Sequence, residues 1–205
     1  ERKQAYIDEK KRFVAEEIKN MYKLKGRSNL VHCLAHAIRD VYDDNGEVAG
    51  FDVLIRMELY KSLPDHLKRN GVMDDLSIEK LSYQIGMALN SMHEINMLHR
   101  DIKPDNILID ESGNYVITDF GISTRARSTL RKSVVGGTAS GGTTAYMGPE
   151  RFSRQPAPTK ASDVWSFGAM VYEVVEGNVP FGEIGGGLQK GGAEIPYITA
   201  NISDA

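Results

Sequence analysis

The sequence predicts an α+β protein built from two lobes, with its strands gathered early in the chain and helices dominating the rest. Residues 30–41 and 51–59 are rich in apolar side chains and are separated by the turn composition DDNGEVAG. Elsewhere apolar residues recur at helical spacing. A chain of 205 residues is long enough for one large domain or two small lobes with a hydrophobic core.

The elements follow in order along the chain. Residues 6–25 are predicted to form an amphipathic helix whose apolar face carries Ile7, Val14, Ile18 and Met21. After the two strands comes a second helix, with one face formed by Leu81, Ile85, Ala88, Leu89 and Met92. The runs NILI and NYVITDF are predicted as short strands joined by the turn DESG. Residues 121–147 lack periodicity, and SDVWSFGAMVYEVVEG is the last predicted helix.

Composition excludes several classes of protein. The net charge of −3 argues against a nucleic-acid partner and against an acidic tail. Cys33 is the only cysteine, which excludes an internal disulfide framework and favours a reducing, cytoplasmic location. The sequence has neither an apolar run of about 18 residues, as a membrane span needs, nor a signal peptide. Both ends of the sequence indicate a piece of a longer protein.

The run LHRDIKPDNILI, residues 98–109, places polar side chains in a loop between a predicted helix and a strand. Asp101 is a candidate base for a substrate hydroxyl, and Lys103 a candidate to neutralise a transferring phosphoryl group. Asn106 offers a neutral oxygen to Mg²⁺, and Asp119, thirteen residues further on, offers the charged carboxylate that the metal needs beside it. The spacing makes a loop of merely solvated charges an unfavourable interpretation.

Four ordered motifs make the sequence resemble the protein kinase family: HRDIKPDN, DFG, GTTAYMGPE at 142–150 and SDVWSFG at 162–168. The resemblance implies a bilobed kinase-like fold that uses ATP and Mg²⁺. Residues 1–58 would be an incomplete, partly β lobe, and residues 59–205 the larger, mainly helical one. Asp163 would hold the backbone of the catalytic loop. Gly148 stands where the family usually has alanine.

Lys103 and Thr143 resemble the Ser/Thr-specific branch of the family, whose substrates are proteins or peptides carrying serine or threonine. The resemblance also implies a set of nucleotide-binding residues. Glu17, favoured over Glu16 because it lies beside the apolar helix face, would pair with the ATP-binding lysine. Met57 would guard the adenine pocket. The hinge residues would be Glu58, Leu59 and Tyr60, and Leu108 would pack under adenine.

The Gly-rich phosphate loop and strand lysine of the family are not recognisable ahead of Glu17. Lys3 has a tolerable spacing, but ERKQAY lacks an apolar strand before it. The glycines at 185–187 and 191–192 follow the last helix, where a flexible loop is the better interpretation. The family's arginine partner for Glu150 is absent as well. We therefore expect truncation at both ends, and no measurable phosphotransfer by these 205 residues alone, in contrast to a chain extended upstream.

The segment 122–147 is basic and contains no acidic residue. Its cations are Arg125, Arg127, Arg131 and Lys132, and Ser128, Thr129, Ser133 and Thr138 lie among them. One interpretation is a loop that attracts acidic substrates. The other is control by phosphorylation, including self-phosphorylation, with a phosphate pairing with Arg100 and ordering the segment.

Two alternatives to a Ser/Thr protein kinase remain open. A non-catalytic kinase-like binding module has no chemical need to keep Asp101, Lys103, Asn106 and Asp119 together. A small-molecule phosphotransferase of related fold has no need of GTTAYMGPE, which shapes a platform for a peptide.

Overall fold

The computed structural model describes residues 2–119, 144–152 and 158–181, and within these ranges the chain forms four α-helices and two small sheets. The helices are Arg2–Lys23 (α1), Leu63–Asn70 (α2), Asp75–Glu94 (α3) and Lys160–Glu176 (α4). The strands are Cys33–Tyr42 (β1), Val48–Met57 (β2), Lys61–Ser62 (β3), Ile107–Ile109 (β4) and Tyr115–Ile117 (β5). Short 3₁₀ turns lie at Pro104–Asn106 and Pro149–Phe152. The predicted α+β class is confirmed.

The first sheet is an antiparallel hairpin of β1 and β2 that packs against α1. Its turn is closed by Asp43, whose Oδ1 accepts hydrogen bonds of 3.0 Å from the backbone N–H groups of Asn45 and Glu47. This is the local bonding by which aspartate favours turns. The apolar face predicted for α1 is confirmed, because Val14 and Ile18 are buried there.

The second sheet has the order β3–β4–β5, with all pairs antiparallel. Residues preceding the hairpin also bond to it: Val31 donates to the carbonyl of Ile117 at 2.9 Å, and Ile117 donates to that of Asn29 at 2.9 Å. The prediction that the first strand begins at residue 30 was therefore wrong. Leu30 pairs with β5, and the strand of the hairpin begins only at Cys33.

The main core lies between α3, α4 and β5. The predicted apolar face of α3 is confirmed, since its members are all buried: Leu81, Ile85, Ala88, Leu89 and Met92. Gln84 on the same helix accepts a 2.8 Å hydrogen bond from the backbone N–H of Tyr115. This bond positions the start of β5 and, through it, the residues that follow the strand.

Two helices also depart from the predicted elements. Helix α1 begins at Arg2 rather than at residue 6, so Lys3 is an exposed helical residue and is excluded as a strand lysine. Helix α2 was not predicted, although Ser62 caps it by accepting the N–H of Asp65 at 3.2 Å. Pro64 suits its first turn. No helix among residues 2–119, 144–152 and 158–181 is long and apolar enough to cross a membrane.

Candidate active site

Asp163, near the start of α4, holds the loop that carries the predicted catalytic residues. Its side chain is 1% exposed. Oδ2 accepts the backbone N–H of His99 at 2.9 Å, and Oδ1 accepts that of Arg100 at 2.7 Å. Nε2 of His93 lies 2.9 Å from Oδ2. The predicted role of Asp163 in holding the loop backbone is confirmed.

His99 connects this loop to the end of β5. Its ring is fully buried, its Nε2 lies 2.9 Å from the carbonyl oxygen of Thr118, and its Nδ1 accepts the backbone N–H of Asp101 at 3.2 Å. These bonds require a neutral ring that carries its proton on Nε2. Burial lowers the pKa of His99, against the opposing effects of the Thr118 carbonyl and of Asp163, Asp101 and Asp119.

The lowered pKa of His99 predicts an acid-sensitive fold. Below the unfolded-state pKa of about 6.5, the unfolded chain takes up a proton on His99 that the folded chain does not. The free energy of unfolding should therefore be highest above that pH and fall as the pH drops through it, by at most about 1.4 kcal/mol per pH unit.

Urea unfolding measured between about pH 5 and pH 8 on the wild type and on His99→Gln isolates this contribution, because the other histidines are common to both chains. We expect a shallower pH dependence in the variant. Parallel curves for the two chains would show that His99 does not carry the effect.

The carboxylate of Asp101 is contacted by both Lys103 and Asn106. Asn106 is 3% exposed, and its Nδ2 donates to the backbone carbonyl of Asp101 at 2.6 Å and to its Oδ2 at 3.1 Å. Nζ of Lys103 lies 3.3 Å from the same Oδ2. The Asp101 side chain is 11% exposed, so the carboxylate is held in place yet remains within reach of solvent.

Asp119 directly follows Thr118, a residue that is hydrogen-bonded to this loop. The N–H of Thr118 donates to the carbonyl of Asn106 at 3.0 Å, and Asp119 itself adopts a left-handed backbone with φ of 63°. Such a conformation is unusual for a residue other than glycine and redirects the chain at the end of β5. Asp101 and Asp119 both act electrostatically on His99, so both carboxylates lie in its neighbourhood.

The donor types of Asn106 and Asp119, an amide oxygen and a carboxylate, are ones that a magnesium ion accepts. The two bonds made by Nδ2 of Asn106 turn its Oδ1 the other way, and the half-buried Asp119 adds a carboxylate. Mg²⁺ commonly takes only one or two protein carboxylates and completes its shell with water and phosphate oxygens. In the described part of the chain, no cluster of three or more His, Cys, Asp or Glu side chains is arranged to hold a metal by itself.

The residues predicted to contact adenine lie along one connection between the two sheets. Met57 ends β2, the hinge segment (Glu58, Leu59 and Tyr60) follows, and β3 comes next. Ser62 in β3 pairs with Leu108 in β4, which brings Leu108 alongside the end of the hinge segment. Leu59 is 95% exposed, so its side chain is not part of the core.

The two rival glutamates of α1 occupy different surroundings. Glu16 is exposed and its carboxylate lies 3.3 Å from Nζ of Lys19. Glu17 is half-buried, next to the buried Ile18. Helix α1 is further attached to the hairpin by an ion pair between Lys11 and Asp40.

The residues that close the basic segment are attached to α4. The Tyr146 hydroxyl donates to Glu173 at 2.5 Å, and Ser166 Oγ donates to the Tyr146 carbonyl at 2.7 Å. Burial, with this bond to Glu173, strongly raises the pKa of Tyr146. Gly148 leaves space for a neighbouring carboxylate, since a Cβ added there would lie 2.5 Å from Glu150 Oε2. Thr143 and residues 122–142 lie outside the described residues.

Arg100 combines a left-handed backbone with one side-chain nitrogen that lacks a hydrogen-bond partner among the described residues. Its φ is 73°, and its Nε is buried without a hydrogen-bond partner among the described residues. Oε1 of Glu150 is buried and unpartnered in the same way.

Sequence reasoning missed the roles of His99 and of the Tyr146–Glu173 bond. The HRD motif draws attention to its aspartate, Asp101, rather than to its histidine, His99. The Tyr146–Glu173 bond joins residues 27 positions apart.

Comparison with known proteins gives a consistent result. A model of the family described as "Protein kinase domain" matches residues 2–195. MAP kinase kinase MKK1/SSP32 of Saccharomyces cerevisiae is 38% identical over 122 residues, covering 60% of this chain and 22% of the relative. Human dual specificity mitogen-activated protein kinase kinase 7 is 37% identical, covering 65% and 32%. Serine/threonine-protein kinase PrkC of Bacillus subtilis is 33% identical, covering 70% and 22%. The matched regions thus span less than a third of each of these relatives.

Proposed function

Because this chain belongs to the protein kinase family, we propose that its parent protein transfers the γ-phosphoryl group of ATP to serine or threonine hydroxyls of protein substrates. The observation that carries this proposal is the convergence of Asn106 and Lys103 on the Asp101 carboxylate. The buried amide of Asn106 and the cation of Lys103 surround a carboxylate, that of Asp101, which solvent can still reach. Such an arrangement suits proton transfer and has no evident use in packing.

In the proposed reaction, Asp101 is the base. A substrate hydroxyl oxygen forms a bond to the γ-phosphorus while the bond from that phosphorus to the bridging oxygen breaks, and ADP leaves. The hydroxyl proton passes to the Asp101 carboxylate. Lys103, 3.3 Å from that carboxylate, supplies positive charge beside the transferring phosphoryl group.

Asn106 and Asp119 are the proposed ligands of Mg²⁺. When bound, the ion would neutralise charge on the nucleotide phosphates. Two features of the chain support this assignment: the hydrogen bond from Thr118 to Asn106, and the left-handed turn at Asp119. The first connects the residue before Asp119 to Asn106, and the second redirects the chain at Asp119, which is consistent with a shared role for an amide oxygen and a carboxylate.

The nucleotide base is proposed to lie against the hinge segment. Met57 would guard the back of that pocket, and Leu108 would pack under adenine. Glu17 is the proposed partner of the ATP-binding lysine, and its half-buried position favours it over the exposed Glu16. A two-lobe division at residues 58 and 59 follows from the same proposal, since the hinge segment would join the lobes.

Control by phosphorylation of residues 122–147, including self-phosphorylation, is the proposed regulation. The buried Nε of Arg100 has no partner among the described residues, and it is a donor that a phosphate oxygen would satisfy. Thr143 is proposed to lie beside the base during the reaction and to favour a short aliphatic hydroxyl.

The proposal is tested by phosphotransfer from radiolabelled ATP with Mg²⁺ to peptides whose only acceptor is serine, threonine or tyrosine. The assay uses the 205-residue chain and the longer chain that includes its upstream coding sequence. We expect transfer to serine and threonine peptides by the longer chain. One relative is named as a dual specificity kinase, so the tyrosine peptide is the arm that detects broader specificity.

Two outcomes would contradict the proposal. ATP binding without transfer to any peptide or to the chain itself would favour the non-catalytic binding module. Transfer to a small hydroxylated molecule but to no peptide would favour the small-molecule phosphotransferase.

A further inference from the structure

The strand pairing of the hairpin ends just before the hinge segment. The last residues that pair are Cys33 in β1 and Met57 in β2. At the next step, the backbone N–H of His32 donates to Oε2 of the Glu58 side chain at 2.8 Å, and not to a backbone carbonyl. A side chain thus takes the place that the backbone of Glu58 would occupy if the pairing continued.

This arrangement leaves the backbone of the hinge segment available. In the described part of the chain, no backbone N–H or C=O group of Glu58, Leu59 or Tyr60 is hydrogen-bonded to another residue. Such groups are strong donors and acceptors, and a ligand can pair with them as well as a strand can. The hinge segment is therefore attached through a side chain, while its own donors and acceptors stay open.

The attachment does not depend on the ring of His32. Nδ1 of the ring lies 3.2 Å from Oε1 of Glu58, and Nε2 lies 3.1 Å from the carbonyl oxygen of Arg27. Whichever ring nitrogen is protonated, the backbone N–H remains a donor, so Oε2 keeps its bond. The Glu58 side chain is 22% exposed, so this bond is partly shielded from competing water.

The loop that donates this bond is itself fixed to the strand that leads to the proposed metal site. Val31 donates to the carbonyl of Ile117 at 2.9 Å, and Ile117 donates to that of Asn29 at 2.9 Å. Ile117 ends β5, and Asp119 follows two residues later. One hydrogen bond to Glu58 therefore joins the start of the hinge segment to a loop that is paired with β5.

We propose that Glu58 is a positioning residue: its carboxylate holds the hinge segment to the loop that pairs with β5, and so leaves the hinge backbone free to bind a ligand. That this ligand is adenine rests on the proposed function, whereas the attachment stands on the bond from His32. A hinge that is not held must be ordered when the ligand binds, and that ordering lowers affinity. Glu58 should therefore act on nucleotide affinity and not on the chemical step.

Three variants separate the acceptor from the charge and from the ring. Glu58→Ala removes the acceptor of the His32 N–H. Glu58→Gln keeps an acceptor oxygen, and its amide N–H can donate to Nδ1 of the ring. His32→Ala removes the ring and keeps the backbone N–H. Glu47→Ala, the same change at an exposed glutamate in the turn of the hairpin, is the matched control.

The first measurement is ¹⁵N NMR of the 205-residue chain without nucleotide. In Glu58→Ala we expect the Leu59 and Tyr60 amide signals to move. We also expect the protection of the residue-32 amide against hydrogen exchange to fall about fivefold, as loss of one ordinary hydrogen bond implies. Glu58→Gln and Glu47→Ala should resemble the wild type in both respects, and His32→Ala in the protection. Unmoved hinge signals in Glu58→Ala, or equal movement in Glu58→Gln, would overturn the positioning role.

The second measurement titrates the same chains with adenosine. Affinity should fall about fivefold in Glu58→Ala and stay within about twofold of the wild type in the other variants. In the longer chain, the KM for ATP should rise by a similar factor while kcat is unchanged. Equal adenosine affinity in Glu58→Ala, or a fall in kcat without a rise in KM, would overturn the proposal. Adenosine that binds to none of these chains, with hinge signals that move only in Glu58→Ala, would support the positioning role and overturn the nucleotide role of the hinge.

Discussion

Replacing Asp163 with alanine should destabilise the folded chain by about 4 kcal/mol, since each of two backbone N–H groups left without a partner costs about 1–3 kcal/mol. The two groups belong to His99, which is buried, and Arg100, which is partly buried. The ring of His93 loses its partner in the same step. The free energy of unfolding from urea titration measures the effect directly and does not depend on any assignment of function.

A matched control is Asp44→Ala, the same change in the exposed turn of the hairpin. Surface substitutions of this kind usually alter stability by less than about 0.5 kcal/mol. A loss below about 1 kcal/mol for Asp163→Ala would mean that the loop backbone finds other acceptors, and that Asp163 is not its anchor.

The second large effect is expected for Asp101→Asn. In the longer chain, kcat for peptide phosphorylation should fall by about 10²- to 10⁴-fold, because the amide cannot take up the proton of the substrate hydroxyl. The asparagine oxygen still accepts from Asn106 and Lys103, so the KM for ATP should change little. Steady-state rates measured at several ATP concentrations separate the two quantities.

Asp105→Asn is the control, because Asp105 is an exposed carboxylate four residues along the same loop. It should keep the wild-type kcat. Unchanged turnover in Asp101→Asn would remove Asp101 as the base. An equal loss in both variants would point to general damage to the loop rather than to lost chemistry.

Local pattern predicted most of the elements, because the residues that fold α1 and α3 are neighbours on one helix face. Ile18 and Leu81 are fully buried, as their spacing predicts. The order of HRDIKPDN and DFG identified the family without any knowledge of the fold. The buried Asp163 was expected from the family resemblance alone, since nothing in its local sequence distinguishes it from a solvated first-turn acid.

The features that the sequence did not predict depend on contacts between segments that are far apart along the chain. Leu30 looks like strand β1 in composition, yet it pairs with β5, which lies 87 positions further along the chain. A run as short as β3 carries too few residues to show any periodicity. The pairing of His32 with Glu58 spans 26 positions, and only folded coordinates reveal that both ring nitrogens face acceptors.

The hairpin is attached to the second sheet at two places, the hinge segment and the paired residues at 29–31. Two separate attachments restrain the hairpin more than one attachment would. We expect these attachments, together with the packing of Cys33, Ile55 and Met57 on the main core, to restrict movement of the hairpin against the second sheet. A substitution that removed the pairing of residues 29–31 should therefore change the orientation of the hairpin without unfolding the main core between α3, α4 and β5.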